Sequence, residues 1–395
     1  MTRGYFEFQM NAKVCCGETA LEHLAFELRN LDCKKPFILT DATLKKLGLA
    51  DLVVNSLAHD TVFELYDDVP QDSGLDVVEK AAARYRETNC DGVVAVGGGS
   101  VLDTAKGVRM LLSSGKSHVM DIIGCEEMKR GDFIPFIAIP TTSGTGSETT
   151  AVAVIADTKK GVKLEFVTDK MQPDVAILDA RMTEKLPARL TASTGMDALC
   201  HAIEAFSCIQ KNTLSDAFAR HAVESISQNL IVSVKNPSDK QARLALAEAS
   251  FMAGAAFSNS MVGAVHAIGH ALGGVCHVPH GDAMAILLPH VMAFNADDKM
   301  CEKAYADLFP VLTQKTFSFS LSQVERAQQA VEAVKEISAL LNKICGLPVR
   351  LSETGLVKEA DFDGICEKAL NDGAVLFNPK GLTARDVKNI LKAAF

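Results

Sequence analysis

The chain has 395 residues, with 40 basic against 49 acidic side chains and a net charge of −9. Apolar residues make up 48% and charged ones 23%, the balance of a globular protein long enough for two domains at roughly 100–200 residues each. An acidic surface without long Lys/Arg clusters offers no footprint for nucleic acid or anionic lipid, and no run of about 18 apolar residues offers a membrane span. The N-terminus lacks the basic-then-apolar pattern of a secretion signal. The eleven cysteines are scattered and never spaced C-x-x-C, so reduced thiols in a cytoplasmic setting are expected rather than a disulfide framework or a zinc knuckle.

Short runs rich in Val, Ile and Phe alternate with helical patterns in the first half of the chain. Pro36–Thr40, Val62–Tyr66, Gly92–Val96, Phe133–Ile139 and Val175–Leu178 read as strands buried on both faces. Glu18–Arg29 and Ser73–Glu87 read as helices, the second with Leu75, Val78, Ala81 and Ala82 on one side. This alternation predicts an α/β unit with a mostly parallel sheet, and Thr150–Ile155 with Lys163–Val167 predicts an appended hairpin. Beyond Leu186, Ala, Leu and Met recur at three- and four-residue spacing, which predicts an all-α C-terminal domain. The boundary is placed at Pro187, giving domains 1–187 and 188–395 that meet across a cleft, a favoured place for ligands. In the last long helix, Leu321–Ile344, the residues Val324, Ala327, Ala330, Val331 and Val334 are assigned to the core side.

Gly97–Gly98–Gly99–Ser100 ends an apolar run and opens the helical stretch Val101–Leu111. Such a turn is either a tight strand-to-helix connection or a place where backbone amides and the helix dipole meet an anion; it is not the G-x-G-x-x-G fingerprint. Asp103, Thr104 and Lys106 inside the helix, and a second glycine-bearing loop at Pro140–Ser147, favour a pyrophosphate. Asp41 follows a strand, where a carboxylate either accepts from an adenosine ribose and repels a 2′-phosphate, favouring NAD over NADP, or simply caps the helix Ala42–Leu47.

Five of the ten histidines fall between residues 266 and 290. His266 and His270 are i,i+4 and share a helix face, His280 can project back from a turn after Pro279, and Asp197 and His201 form a second i,i+4 pair. One carboxylate and two or three imidazoles suit Fe²⁺ or Zn²⁺ with a position left for substrate. Spacing alone does not choose among His266, His270, His277 and His280. Phe257, Val152 and Val262, beside these motifs, read equally as pocket lining or as core.

GGGSVLDTAK (97–106), PTTSGTGSE (140–148), PDVAILD (173–179), TGMDALCHAIEAF (194–206), HAIGHALGGVCHVPHG (266–281) and NPKGLTARD (378–386) occur in this order along the chain. With them the sequence resembles, over nearly its whole length, the iron-containing (group III) alcohol dehydrogenases, whose fold is shared with dehydroquinate synthase. The resemblance implies an N-terminal dinucleotide-binding domain, a helical metal-binding domain and an active site in the cleft between them. It implies Asp197, His201, His266 and His280 as ligands to Fe²⁺, with Zn²⁺ the alternative, and His270 as a catalytic residue beside the nicotinamide. Asp41, Gly98, Gly99, Ser100, Asp103, Thr141, Thr142, Thr145 and Lys163 would contact NAD, and Leu178 would pack against it. The implied activity is reversible hydride transfer between NAD(H) and a small primary alcohol or aldehyde by a homo-oligomer. Retention of all four ligands separates the chain from the maleylacetate reductase branch. The rivals are a cyclizing lyase that regenerates its NAD and a non-catalytic metal- or nucleotide-binding protein. One departure is Val-Pro-Gln-Asp-Ser (69–73), where many relatives carry Pro-Asn-Pro.

Overall fold

The computed structural model describes residues 5–122, 133–158, 162–314 and 321–395; Cys125 lies outside them. The chain forms two compact units, one spanning Gln9–Leu186 and one spanning Pro187–Phe395 together with residues 5–8. Residues 5–8 thus leave the α/β unit to which the sequence reading gave them. The ring of Phe8 stacks on Phe218 of the helical unit at 5.6 Å.

The α/β unit contains the strands β1 (Lys13–Gly17), β2 (Pro36–Leu39), β3 (Glu64–Tyr66), β4 (Gly92–Gly97), β5 (Phe136–Pro140), β6 (Val152–Asp157), β7 (Val162–Val167) and β8 (Val175–Asp179). Its helices are α1 (Leu24–Asn30), α2 (Ala42–Lys46), α3 (Leu49–Asn55), α4 (Leu75–Glu87), α5 (Gly99–Ser113) and α6 (Ala180–Glu184). Six strands form one parallel sheet in the order β1-β8-β5-β4-β2-β3, and β6 and β7 pair antiparallel as the expected hairpin.

Because side chains alternate across a strand, each central strand feeds two cores. Phe37, Leu39, Val93, Ala95, Phe136 and Ala138 join Val78, Ala81, Ala105 and Val108 of α4 and α5 on one face. Ile38, Val94, Val96, Ile137 and Ile139 join Leu24, Leu49 and Val53 on the other. Burial on both faces is why these strands read as unbroken apolar runs. The edge strand β1 has no such run, since its side chains are mostly exposed; its place is fixed by pairing with β8 from Lys13↔Val175 to Gly17↔Asp179.

The helical unit comprises α7 (Ala188–Ser207), α8 (Thr213–Lys235), α9 (Lys240–Ser258), α10 (Ala264–Cys276), α11 (His280–Asn295), α12 (Lys299–Thr313), α13 (Gln323–Cys345), α14 (Phe362–Leu370) and α15 (Ala384–Ala394). Buried along most of its twenty residues, α7 packs with α8, α9, α11, α12 and α13. The long helix α13 starts two residues later than read, at a capping box of Ser322 and Glu325. This moves Val324 to the surface, 47% exposed, while Ala327, Ala330, Val331 and Val334 are buried. His280 sits not on a turn but at the first residue of α11, after Pro279 in the N-cap position.

Gly281 is required by packing: a Cβ there would lie 2.8 and 3.0 Å from the backbone O and C of Ser193 on α7. Backbone cannot yield as a flexible side chain can, so Gly281→Ala is expected to destabilise the unit by about 1–3 kcal/mol, seen as a lower thermal midpoint in calorimetry.

Candidate functional site

On α7, Asp197, His201 and Glu204 stand at i, i+4 and i+7 on one face. The helix α10 brings His266 and His270, and the start of α11 brings His280. The ligand atoms of Asp197, His201, His266 and His280 all lie within 4.8 Å of one another. The Nε2 atoms of His280, His201 and His266 are 3.3, 3.9 and 4.0 Å from Asp197 Oδ1. Asp197, His201 and His266 are buried, whereas the side chain of His280 is 39% exposed, which leaves the group open on one side.

Burial alone would raise the Asp197 carboxyl, but His201, His280 and His266 overcome it and hold the group well below the usual carboxylate range. Burial lowers His280 despite Asp197. Asp197 Oδ1 and His266 Nε2 are both buried without a formed hydrogen bond. A buried carboxylate oxygen and a buried imidazole lone pair facing each other are costly unless something between them accepts both. One carboxylate and three imidazoles, each able to offer a ring lone pair, are the donor set of a first-row divalent cation, so the residues fit such an ion.

Two further carboxylates fix the rings. Glu204 Oε2 lies 2.6 Å from His266 Nδ1, and Asp372 Oδ2 lies 2.8 Å from His270 Nδ1. Burial opposes the charge of Asp372, yet His270 keeps its carboxyl below the normal range. Phe257 stacks on His201 at 4.3 Å and 17°. The sequence reading passed over Glu204, whose signal was its position seven residues after Asp197 on the same face. For Asp372, over a hundred residues from His270, the linear sequence carried no signal.

In the α/β unit the order β5-β4-β2-β3 places a topological switch between β4 and β2, where ligands gather at strand carboxyl ends. Asp41 follows β2, Gly98–Ser100 follows β4, and Thr141 and Thr142 follow β5. Asp41 Oδ1 accepts from Leu44 N at 2.9 Å, so the capping reading holds for that oxygen. The two glycine loops touch: a Cβ on Gly98 would lie 3.2 Å from Thr142 Cγ2, and one on Gly99 would lie 2.9 Å from Thr145 Cγ2. Asp103 faces inward, its Oδ1 accepting from Ser147 Oγ at 2.7 Å and its Oδ2 from Val154 N at 3.0 Å. Lys106 is fully buried and donates to Thr150 Oγ1 and Val152 O, with burial pushing its ammonium down to about 8. Leu178 on β8 is 1% exposed. The helix α5 therefore braces both the second loop and the hairpin.

Residues 11–180 match the model of the family described as iron-containing alcohol dehydrogenase, and residues 191–395 match that of the Fe-containing alcohol dehydrogenase family, C-terminal. The chain belongs to the iron-containing alcohol dehydrogenases. It is 35% identical over 379 residues to the NAD-dependent methanol dehydrogenase of Bacillus methanolicus, covering 96% of this chain and 97% of that one. It is 34% identical over 385 residues to the 1,3-propanediol dehydrogenase of Citrobacter freundii, covering 96% of each. Its fold matches the crystal structure of a 1,3-propanediol oxidoreductase with a TM-score of 0.93 at 33% identity, covering 99% of this chain and all of that one.

Family membership makes the chain an oxidoreductase acting on alcohols and accounts for the motif order. The segment 69–73 lies beside the first glycine loop. Asp72 is left-handed at φ 51°, its N–H donates to Ser100 Oγ at 3.1 Å, and its carboxylate pairs with Lys163 Nζ at 2.6 Å. Both partners are more than half exposed, so this pair contributes little to stability. The buried network behind it is different. Asp103→Ala removes a countercharge 3.9 Å from the Lys106 ammonium and two acceptors, and is expected to cost roughly 3 kcal/mol. Asp103→Asn, which keeps an acceptor for Val154 N, should cost less in the same denaturant titration.

Proposed function

We propose that this alcohol dehydrogenase transfers hydride reversibly between NAD(H) and a small primary alcohol or aldehyde, with Fe²⁺, or Zn²⁺ in its place, at Asp197, His201, His266 and His280. The observation that carries the reading is the buried Asp197 oxygen ringed by three imidazoles. When bound, the metal supplies Lewis acidity to the substrate oxygen, while hydride chemistry belongs to the dinucleotide. In this proposal domain 1–187 binds the dinucleotide and domain 188–395 carries the metal. The methanol and 1,3-propanediol dehydrogenases among the relatives support a short alcohol.

The chain's own residues divide the remaining work. Gly98, Gly99 and Ser100 at the start of α5, with Thr141, Thr142 and Thr145 opposite, receive the pyrophosphate on backbone amides and hydroxyls. Lys163 adds a positive charge, Leu178 packs beneath, and Asp103 supports the loops from behind. Asp41 accepts from the adenosine ribose with its second oxygen and repels a 2′-phosphate. His270, oriented through Nδ1 by Asp372, takes and passes the alcohol proton at Nε2. A homo-oligomer in the cytoplasm completes the proposal, consistent with ten unbridged cysteines among the described residues and no described helix long and apolar enough to cross a membrane.

Two substitutions test the assignment. His266→Ala is expected to lose bound metal and turnover in anaerobically reconstituted protein while NADH still binds, read by metal analysis and NADH fluorescence; near wild-type turnover without metal would sink the proposal. Asp41→Ala is expected to shift the NADPH-to-NADH ratio of kcat/KM upward by tenfold or more, roughly the 1.4 kcal/mol of one removed charge contact, and to cost about 1 kcal/mol of stability as a lost cap. Absence of any net NADH oxidation with short aldehydes would transfer the assignment to a lyase.

A further inference from the structure

The helix that carries His266 begins without a cap of its own. Gly263 holds the N-cap position of α10 and has no side chain to offer the first amides. Two distant side chains supply the acceptors instead. Val265 N donates to Glu204 Oε1 at 2.7 Å, and Ala264 N approaches Asn378 Oδ1 at 3.4 Å. Asn378 is itself held in a reciprocal amide pair with Asn295, at 2.9 and 3.0 Å. A Cβ on Gly263 would lie 3.1 Å from Asn378 Oδ1 and 3.2 Å from Glu204 Oε1, so the glycine admits both acceptors.

Glu204 is 5% exposed and His266 3%. One oxygen of the carboxylate holds the backbone one residue before His266, and the other meets Nδ1 of its ring. An ionised carboxylate only accepts hydrogen bonds, so the proton of a neutral His266 must sit on Nδ1. The lone pair then lies on Nε2, the atom 4.0 Å from Asp197 Oδ1.

We infer that Glu204 is a positioning residue that selects the metal-binding tautomer of His266 and fixes its ring through the first turn of α10. This rests on the metal reading proposed above. Cys200, Glu204 and His266 also form a group whose ligand atoms lie close together. The Nδ1-to-Oε2 separation of 2.6 Å suits a shared proton and not a cation, which at about 2.0–2.2 Å from each atom would hold them farther apart.

Glu204→Gln tests the assignment because it keeps size and removes charge. Its amide can present oxygen to Val265 N or to His266 Nδ1, but not to both. Metal-stripped full-length protein is titrated anaerobically with Zn²⁺ and Fe²⁺ against a chromophoric chelator. The variant is expected to bind metal about 10–100-fold more weakly than the wild type, with Glu204→Asp recovering part of the loss. In metal-free wild type, long-range proton–nitrogen NMR is expected to find the His266 proton on Nδ1, and in Glu204→Gln a shift toward Nε2. Wild-type metal affinity in Glu204→Gln, an Nε2–H tautomer in the metal-free wild type, or a second metal per chain would each overturn the inference. The tautomer readout needs no variant to fold, and wild-type protein that takes up no metal refutes the metal reading separately.

Discussion

Asp197 is an ionised carboxylate in the middle of a helix, 2% exposed, in a unit packed with apolar side chains. An isolated charge there would cost several kcal/mol, and the three imidazoles around it hold the carboxyl below its usual range. The rest of the helical unit follows from keeping those groups aimed at one point. The approach of α7 to α11 leaves no room for a Cβ at Gly281, and His280 precedes that glycine. The close contact that packs the core therefore also sets the fourth side chain of the cluster.

In the proposed reading the α/β unit receives its ligand by a different route. Its contribution lies in backbone at strand ends, and the glycines are there because the loops after β4 and β5 lie within a methyl group of each other. Behind them Asp103 and Lys106 connect α5 to the second loop and the hairpin. Burial opposes both charges, and each is answered by hydroxyls, backbone groups and the other. Loops that only touch would move independently under a ligand; here the second loop is hydrogen-bonded to Asp103 and Lys106 of the helix that the first loop opens, which holds one spacing.

The sequence made the central strands legible because burial on two faces writes an apolar run, as in Gly92–Val96 and Val175–Leu178. It concealed β1, whose exposed edge requires no such run, and it mislaid Val324, because helical periodicity does not say where solvent begins. Asp197, His201, His266 and His280 could be collected from spacing and resemblance, since i,i+4 pairs occupy a single helix face. The carboxylates behind them were harder to find. Glu204 lay within a legible period and was passed over; Asp372 reaches His270 only through the tertiary fold.

Those two carboxylates explain what spacing could not, namely why two histidines one turn apart on α10 are not equivalent. Each gives Nδ1 to a carboxylate, so each presents Nε2. Their surroundings then diverge. The side chain of His266 is 3% exposed, and its Nε2 lies 4.0 Å from Asp197, whereas that of His270 is 33% exposed and pairs with Asp372. A buried lone pair facing a carboxylate calls for a cation, and a partly exposed imidazole backed by a carboxylate is suited to gain and lose a proton. In the proposed reading the same H-x-x-x-H pair thus serves two chemistries, separated by how far each ring stands from water.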